Sequence, residues 1–178
     1  MQSTKYAKIF NPFPQVLSAK GDLSWICLFL CVISMGCFAG SSEANDLKGV
    51  VTKSAILGLP SFARNYEQYQ PDEQQIQAMQ SLSNKALYVM FGSWCHDSER
   101  EVPRLLKLLD TSEVSNANVI LIAVDRDKND ATGKSEELGL RYTPTFVVFS
   151  GETEVARIIE KPQGDLATDF SRQIATGK

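Results

Sequence analysis

The chain has 178 residues, 43% of them hydrophobic and 22% charged, a balance that belongs to a globular protein and not to a disordered one. Its net charge of −3 and isoelectric point near 5.2 leave no basic surplus for nucleic acid or an anionic membrane surface. Of the four cysteines, Cys27, Cys31 and Cys37 share an apolar N-terminal stretch, and Cys95 stands alone in the rest. No disulfide framework can be built from one cysteine. Cys95 and the single histidine, His96, are adjacent but have no further Cys or His near them, so no zinc site is expected and no metal or other cofactor is called for.

The first element in chain order is an address. Lys5, Lys8 and Lys20 precede an apolar run, Leu23–Ala39, and small and acidic residues from Gly40 to Asp46 follow it. A positive flank, an apolar run and a small-residue exit make a secretory signal over residues 1–44. Ser42 and Ala44 place small side chains at the −3 and −1 positions of a cut after Ala44; a cut after Ala39 is the second choice. Two other readings of the segment stand beside cleavage: an uncleaved anchor, and lipidation at Cys37 behind Gly36. All three export the remainder, to the periplasm or an equivalent space, and confine any membrane contact to this segment.

Residues 45–70 read as an N-terminal extension. Val50, Val51, Ile56, Leu57 and Leu59 suit a short strand or packing arm before Pro60, and Phe62, Tyr66 and Tyr69 recur at helical spacing. The domain proper is expected over residues 71–178. Pro71 and Asp72 start a helix that carries Ile76, Met79 and Leu82 on one face. Ala86–Phe91 is a continuous apolar run of strand length, as expected of a strand buried on both faces. After the turn Gly92-Ser93-Trp94, a helix carries Val102, Leu105, Leu106, Leu108 and Leu109 and ends near Asp110. Asn118–Val124 is a second buried strand, residues 126–133 a polar loop, and Ser135–Leu138 a short helix closed by Gly139. Thr145–Phe149 and Glu154–Ile159 flank Ser150-Gly151-Glu152 as a hairpin, and Asp165 caps a last helix with Leu166, Phe170 and Ile174. Alternation gives a parallel pair with crossover helices, and the hairpin adds antiparallel strands.

Trp94-Cys95-His96-Asp97-Ser98 stands between the first buried strand and its helix, Glu101 and Pro103 follow inside that helix, and Tyr142-Thr143-Pro144-Thr145-Phe146 leads into the third strand. In this order the three features resemble the thioredoxin superfamily over roughly residues 72–176, and most nearly its exported, membrane-tethered reductases. The resemblance implies an α/β thioredoxin fold, a mixed central sheet of about four to five strands flanked by helices. It implies a cis Thr143–Pro144 bond facing Cys95, with Cys95, Ser98 and Pro144 at the reacting centre. Trp94, His96 and Thr143 would border the bound substrate. Two residues depart from the pattern. The family's second cysteine is Ser98 here, and its usual buried carboxylate, six positions before the first cysteine, is Val89.

A helix start favours an anion at the sulfur, since backbone N–H groups point at it. Ser98, one turn on, is expected to donate a hydrogen bond to that sulfur. Such a thiolate can attack a disulfide and hold the mixed disulfide until an outside thiol releases it. The expected function is monothiol exchange through Cys95, with exported protein thiols and disulfides or a small thiol as partners. The alternative is a peptide-binding module on the same fold with an idle thiol.

Overall fold

The computed structural model describes residues 46–114 and 117–177, and all of these lie in one of the chain's two compact units, Glu43–Lys178. The signal reading of residues 1–44, including the lipidation reading at Cys37, falls outside the described residues. Among the described residues no helix is long and apolar enough to cross a membrane.

Thr52 opens the first helix. Its hydroxyl accepts the Ala55 N–H and so starts α1 (Lys53–Leu57), just after the two-residue strand β1 (Gly49–Val50). Pro60 occupies the first turn of α2 (Pro60–Gln68), where its missing N–H costs nothing. Asp72 and Gln75 form a reciprocal capping box at α3 (Glu73–Ala78), which tightens into a 3₁₀ turn over Met79–Leu82. Then come β2 (Ala86–Phe91), α4 (His96–Ser112) and β3 (Asn118–Ala123). The short α5 (Lys134–Glu137) is followed by the hairpin β4 (Thr145–Ser150) and β5 (Thr153–Ile159), and by α6 (Leu166–Thr176), capped by the Asp165 side chain.

The five strands lie in the order β1-β3-β2-β4-β5. β2 and β3 are parallel, from Ala86 opposite Asn118 to Phe91 opposite Ala123, while β4 runs antiparallel to both β2 and β5. β2 is therefore central, which explains why its sequence is apolar without alternation. One face, through Leu87, Val89, Phe91, Phe146 and Val148, meets Leu105 and Leu108 of α4, Phe170 of α6, and Ile56 and Phe62 from the N-terminal helices. Phe62 and Phe91 meet tilted, their centroids 5.9 Å apart, and Phe146 meets Phe170 edge to face at 6.2 Å. Met90, Ile122, Val124 and Val147 point to the other face, which Leu138 and Leu140 help to cover.

The segment 46–70 is thus part of the body of the fold. Ile56 and Phe62 are fully buried, and the Asp110 carboxylate at the far end of α4 binds both Lys53 and the Tyr66 hydroxyl. The edge strand β5 is also protected: the Arg157 backbone N–H, which would otherwise face a neighbouring chain, donates to the Gln173 side chain of α6 at 2.9 Å.

Candidate functional site

Cys95 is the N-cap of α4, in an extended conformation (φ −98°, ψ 123°), and its carbonyl accepts the first helical hydrogen bond, from Glu99 N–H at 2.9 Å. The turn before it is closed by Cys95 N–H donating to the Gly92 carbonyl at 3.0 Å. These bonds place the thiol beside the start of β4. The Thr143–Pro144 peptide there is cis, and the half-buried Cys95 thiol donates to the Thr143 carbonyl at 3.1 Å. The sulfur thus faces a backbone carbonyl, not the helix amides, and makes no capping bond of its own.

Ser98 departs from the expectation that it would serve the sulfur. Its side chain is fully buried, and its Oγ accepts the Gly92 N–H at 3.3 Å. The physical reason is local: Gly92 ends β2 and its amide is buried, so the nearest hydroxyl satisfies it. Ser98 therefore fastens the turn to the helix.

Trp94 is latched in place. Its indole N–H donates to the Val124 carbonyl at 3.3 Å, Arg126 lies over its ring at 5.4 Å, and its ring covers Gly92 so closely that a Cβ there would sit 2.6 Å from it. Arg126 in turn reaches Asp46 at 3.7 Å, and the Leu47 N–H donates to the Ser93 hydroxyl at 3.0 Å. The first described residues are therefore tied to the turn that carries Trp94. None of these partners carried a signal in the sequence. Arg126 sits in a polar loop like any other charged loop residue, and Gly92 reads as an ordinary turn glycine.

His96 projects into solvent, 88% exposed, with Glu99 at 3.7 Å. Asp97 pairs with Arg100 at 2.8 Å. Thr143 is buried and Tyr142 next to it is half exposed, so the rim beside the cis peptide is aromatic. Glu101 and Pro103 are both buried inside α4. Glu101 Oε1 accepts from Arg100 Nε at 2.6 Å and Arg104 Nη1 at 3.3 Å, and this carboxylate, aided by Asp97, holds the Arg100 guanidinium above its ordinary pKa. Val89, six positions before Cys95, is fully buried in the sheet and apolar. Among the described residues no three Cys, His, Asp or Glu side chains converge to hold a metal ion.

A family model described as thioredoxin matches residues 58–167, well over half of the chain. The chain belongs to the thioredoxin family. The match begins ahead of α2, so it takes in helices that the motif around Cys95 does not reach. No curated protein matches this thioredoxin-family chain. It is similar to the solved structure of a protein of unknown function from Pseudomonas aeruginosa, at 19% identity, covering 73% of this chain and 89% of that one with a TM-score of 0.48. It is similar to thioredoxin f2 from Chlamydomonas reinhardtii (17% identity, 47% of this chain, 72% of that one, TM-score 0.35). It is also similar to oxidised mitochondrial thioredoxin 3 from Saccharomyces cerevisiae (18% identity, 63% of this chain, 98% of that one, TM-score 0.37). In this thioredoxin-family chain the fold brings Cys95, Trp94, Thr143 and Pro144 to one end of the sheet, with Ser98 directly beneath and His96 on the solvent side.

Proposed function

We propose that the chain is an exported thioredoxin-like protein that performs thiol–disulfide exchange through Cys95 alone. One observation carries this reading: the half-buried Cys95 sulfur lies 3.1 Å from the Thr143 carbonyl, across from a cis Thr143–Pro144 bond. A sulfur so placed approaches a partner disulfide along a fixed line, because the helix start, the turn bond to Gly92 and the cis peptide hold it from three sides. The Cys95 thiolate attacks one sulfur of the partner disulfide, the partner's S–S bond breaks, and its second sulfur leaves as a thiolate. Ser98, at the next turn, has no thiol with which to attack the adduct, so release waits for an outside thiol. The leader-like segment before Asp46 supports export, and the first described residues converge on the same turn as the thiol.

The fate of Ser98 favours a second reading. Its oxygen accepts the Gly92 N–H and it makes no hydrogen bond to the sulfur, as suits a binding module with an idle thiol. The two readings are separated by incubating the protein with a small symmetric disulfide and following the mass of the Cys95-bearing peptide. Exchange predicts one adduct per chain, formed faster in the folded than in the urea-unfolded protein and lost on adding free thiol. Equal rates in the two states, or no adduct at Cys95, would hand the site to the binding reading.

A further inference from the structure

A cavity of about 480 Å³ opens between α4, the N-terminal helices and the loop that joins β5 to α6. Its size falls in the range of small-molecule sites, about 300–1,000 Å³. Arg100 and Arg104 of α4 and Lys161 of the loop line it, against two carboxylates, Glu101 and Asp165. The chain as a whole carries a net charge of −3, so a cavity with more cations than anions runs against the average of the molecule. Glu101 is 3% exposed, and its Oε1 accepts from Arg100 Nε at 2.6 Å and from Arg104 Nη1 at 3.3 Å. A buried carboxylate so placed fixes both guanidinium groups in the wall before any ligand arrives.

The bonding capacity left over in the walls points to the ligand. Asp165 is spent on the cap of α6, one oxygen taking the Thr168 N–H at 3.0 Å and the other the Thr168 hydroxyl at 2.6 Å. Gln75 uses its oxygen twice, on the Tyr69 hydroxyl at 3.1 Å and the Asp72 N–H at 3.0 Å, and keeps its side-chain N–H donors. Arg100 divides its guanidinium between Glu101 and Asp97. Arg104 gives a single N–H to Glu101 while its face rests over the Tyr69 ring at 5.6 Å, and Lys161 has no ion-pair partner among the described residues. A guanidinium has five N–H donors and an ammonium three, so the unspent capacity of the cavity is mainly that of cationic donors. Such a set takes an acceptor-rich anion and repels a cation.

We propose that this cavity binds a small organic anion whose carboxylate or phosphate oxygens are met by the Arg104 guanidinium and the Lys161 ammonium. Arg104, held by Tyr69 and Glu101, offers a planar fork to two oxygens, and Lys161 adds a point charge. Pro162 and Leu166 give the rest of the ligand an apolar wall. The site shares no residue with the exchange centre and does not depend on the reactivity of Cys95.

The test is calorimetric titration of the full chain at low ionic strength with succinate, glycerol 3-phosphate, glycerol and putrescine. At least one of the two anions should saturate a single site per chain, and the tighter of them tells a carboxylate ligand from a phosphate. Added salt should weaken binding, since both cations reach solvent. Glycerol and putrescine should not bind. Lys161→Gln, an exposed change, should weaken the anion about fivefold, the factor equivalent to one charged contact of about 1 kcal/mol. Arg104→Lys, which keeps the charge and loses the fork, should also weaken it, and Lys161→Gln with Arg104→Gln should abolish saturation. Lys48→Gln, an exposed change outside the cavity, should leave the affinity as it is. No saturation by either anion up to about 10 mM, beyond the millimolar constant that two charged contacts support, overturns the proposal. So does glycerol binding as tightly as the anions, an affinity unmoved by Lys161→Gln, or a loss as large in Lys48→Gln as in Lys161→Gln.

Discussion

Replacing Ser98 by cysteine tests the geometry of the site most directly. Residues 95 and 98 are one helical turn apart, with side chains on the same side of the start of α4. The Ser98 side chain is fully buried and its Oγ accepts the Gly92 N–H at 3.3 Å. Exchanging oxygen for sulfur weakens that bond, so reduced Ser98→Cys should be less stable than wild type by about 1 kcal/mol, the usual net worth of one hydrogen bond. Oxidation then closes a four-residue loop, for which the chain-entropy relation gives about 2 kcal/mol of stabilisation. The oxidised variant should therefore stand about 1 kcal/mol above wild type and about 2 kcal/mol above its own reduced form. Urea unfolding of the two forms reads this as a midpoint difference of about 1 M, for a slope near 2 kcal/mol per molar. In insulin reduction with dithiothreitol, the variant should turn over faster than wild type, and Cys95→Ser should be inactive. Identical midpoints for oxidised and reduced Ser98→Cys, with no 95–98 disulfide by mass, would refute the claim that the two side chains converge, and with it the redox reading of this helix start.

Gly92→Ala places a Cβ 2.6 Å from the Trp94 ring and should cost about 1–3 kcal/mol, the range for overpacking, by breaking the Trp94–Val124 latch. Trp94 fluorescence of the mature protein should shift to the red, and an unshifted spectrum would show that the ring was never held there. Burial opposes the charge on Asp130, but hydrogen bonds from the Thr132 hydroxyl and the Ser135 amide outweigh it and hold this carboxyl well below 3.8. A depressed folded value adds stability that is complete above the unfolded value, about 4, and is lost as pH falls further. Asp130→Asn should thus lower stability at pH 7 by no more than about 1 kcal/mol and flatten the decline below pH 4; an unchanged acid profile counts against the loop geometry. Intact mass of the mature protein should show Leu23–Ala39 removed along with Cys27, Cys31 and Cys37. A full-length mass would reject cleavage, and an added diacylglyceryl mass would mark Cys37 as the anchor.

The parts of this protein that were legible beforehand share a physical property: their cause lies within a few residues. Ala86–Phe91 and Asn118–Val124 read as strands because burial on both faces calls for a run of apolar side chains, broken here only by the exposed first residue, Asn118. Asp72 with Gln75, and Asp165 before Leu166, read as helix starts because a cap bonds three residues away. The Cys95 turn and the Thr143–Pro144 peptide were recognisable for the same reason, as short motifs in a fixed order. What stayed illegible was set by partners far along the chain. α1 has five residues, too few for a periodic signal, and although Phe62, Tyr66 and Tyr69 gave α2 its helical spacing, nothing nearby showed that both helices are held by Asp110, which is 57 residues from Lys53. The Arg126–Trp94 stack is likewise a product of tertiary folding. The bond between Gly92 and Ser98 was illegible for a different reason. The spacing from Cys95 drew attention to the sulfur, whereas a buried backbone amide left without an acceptor costs about 1–3 kcal/mol, and a hydroxyl oxygen can take that amide while its own O–H stays a donor. A motif therefore specifies which residues meet, while the unpaired donors around them decide which bonds they make.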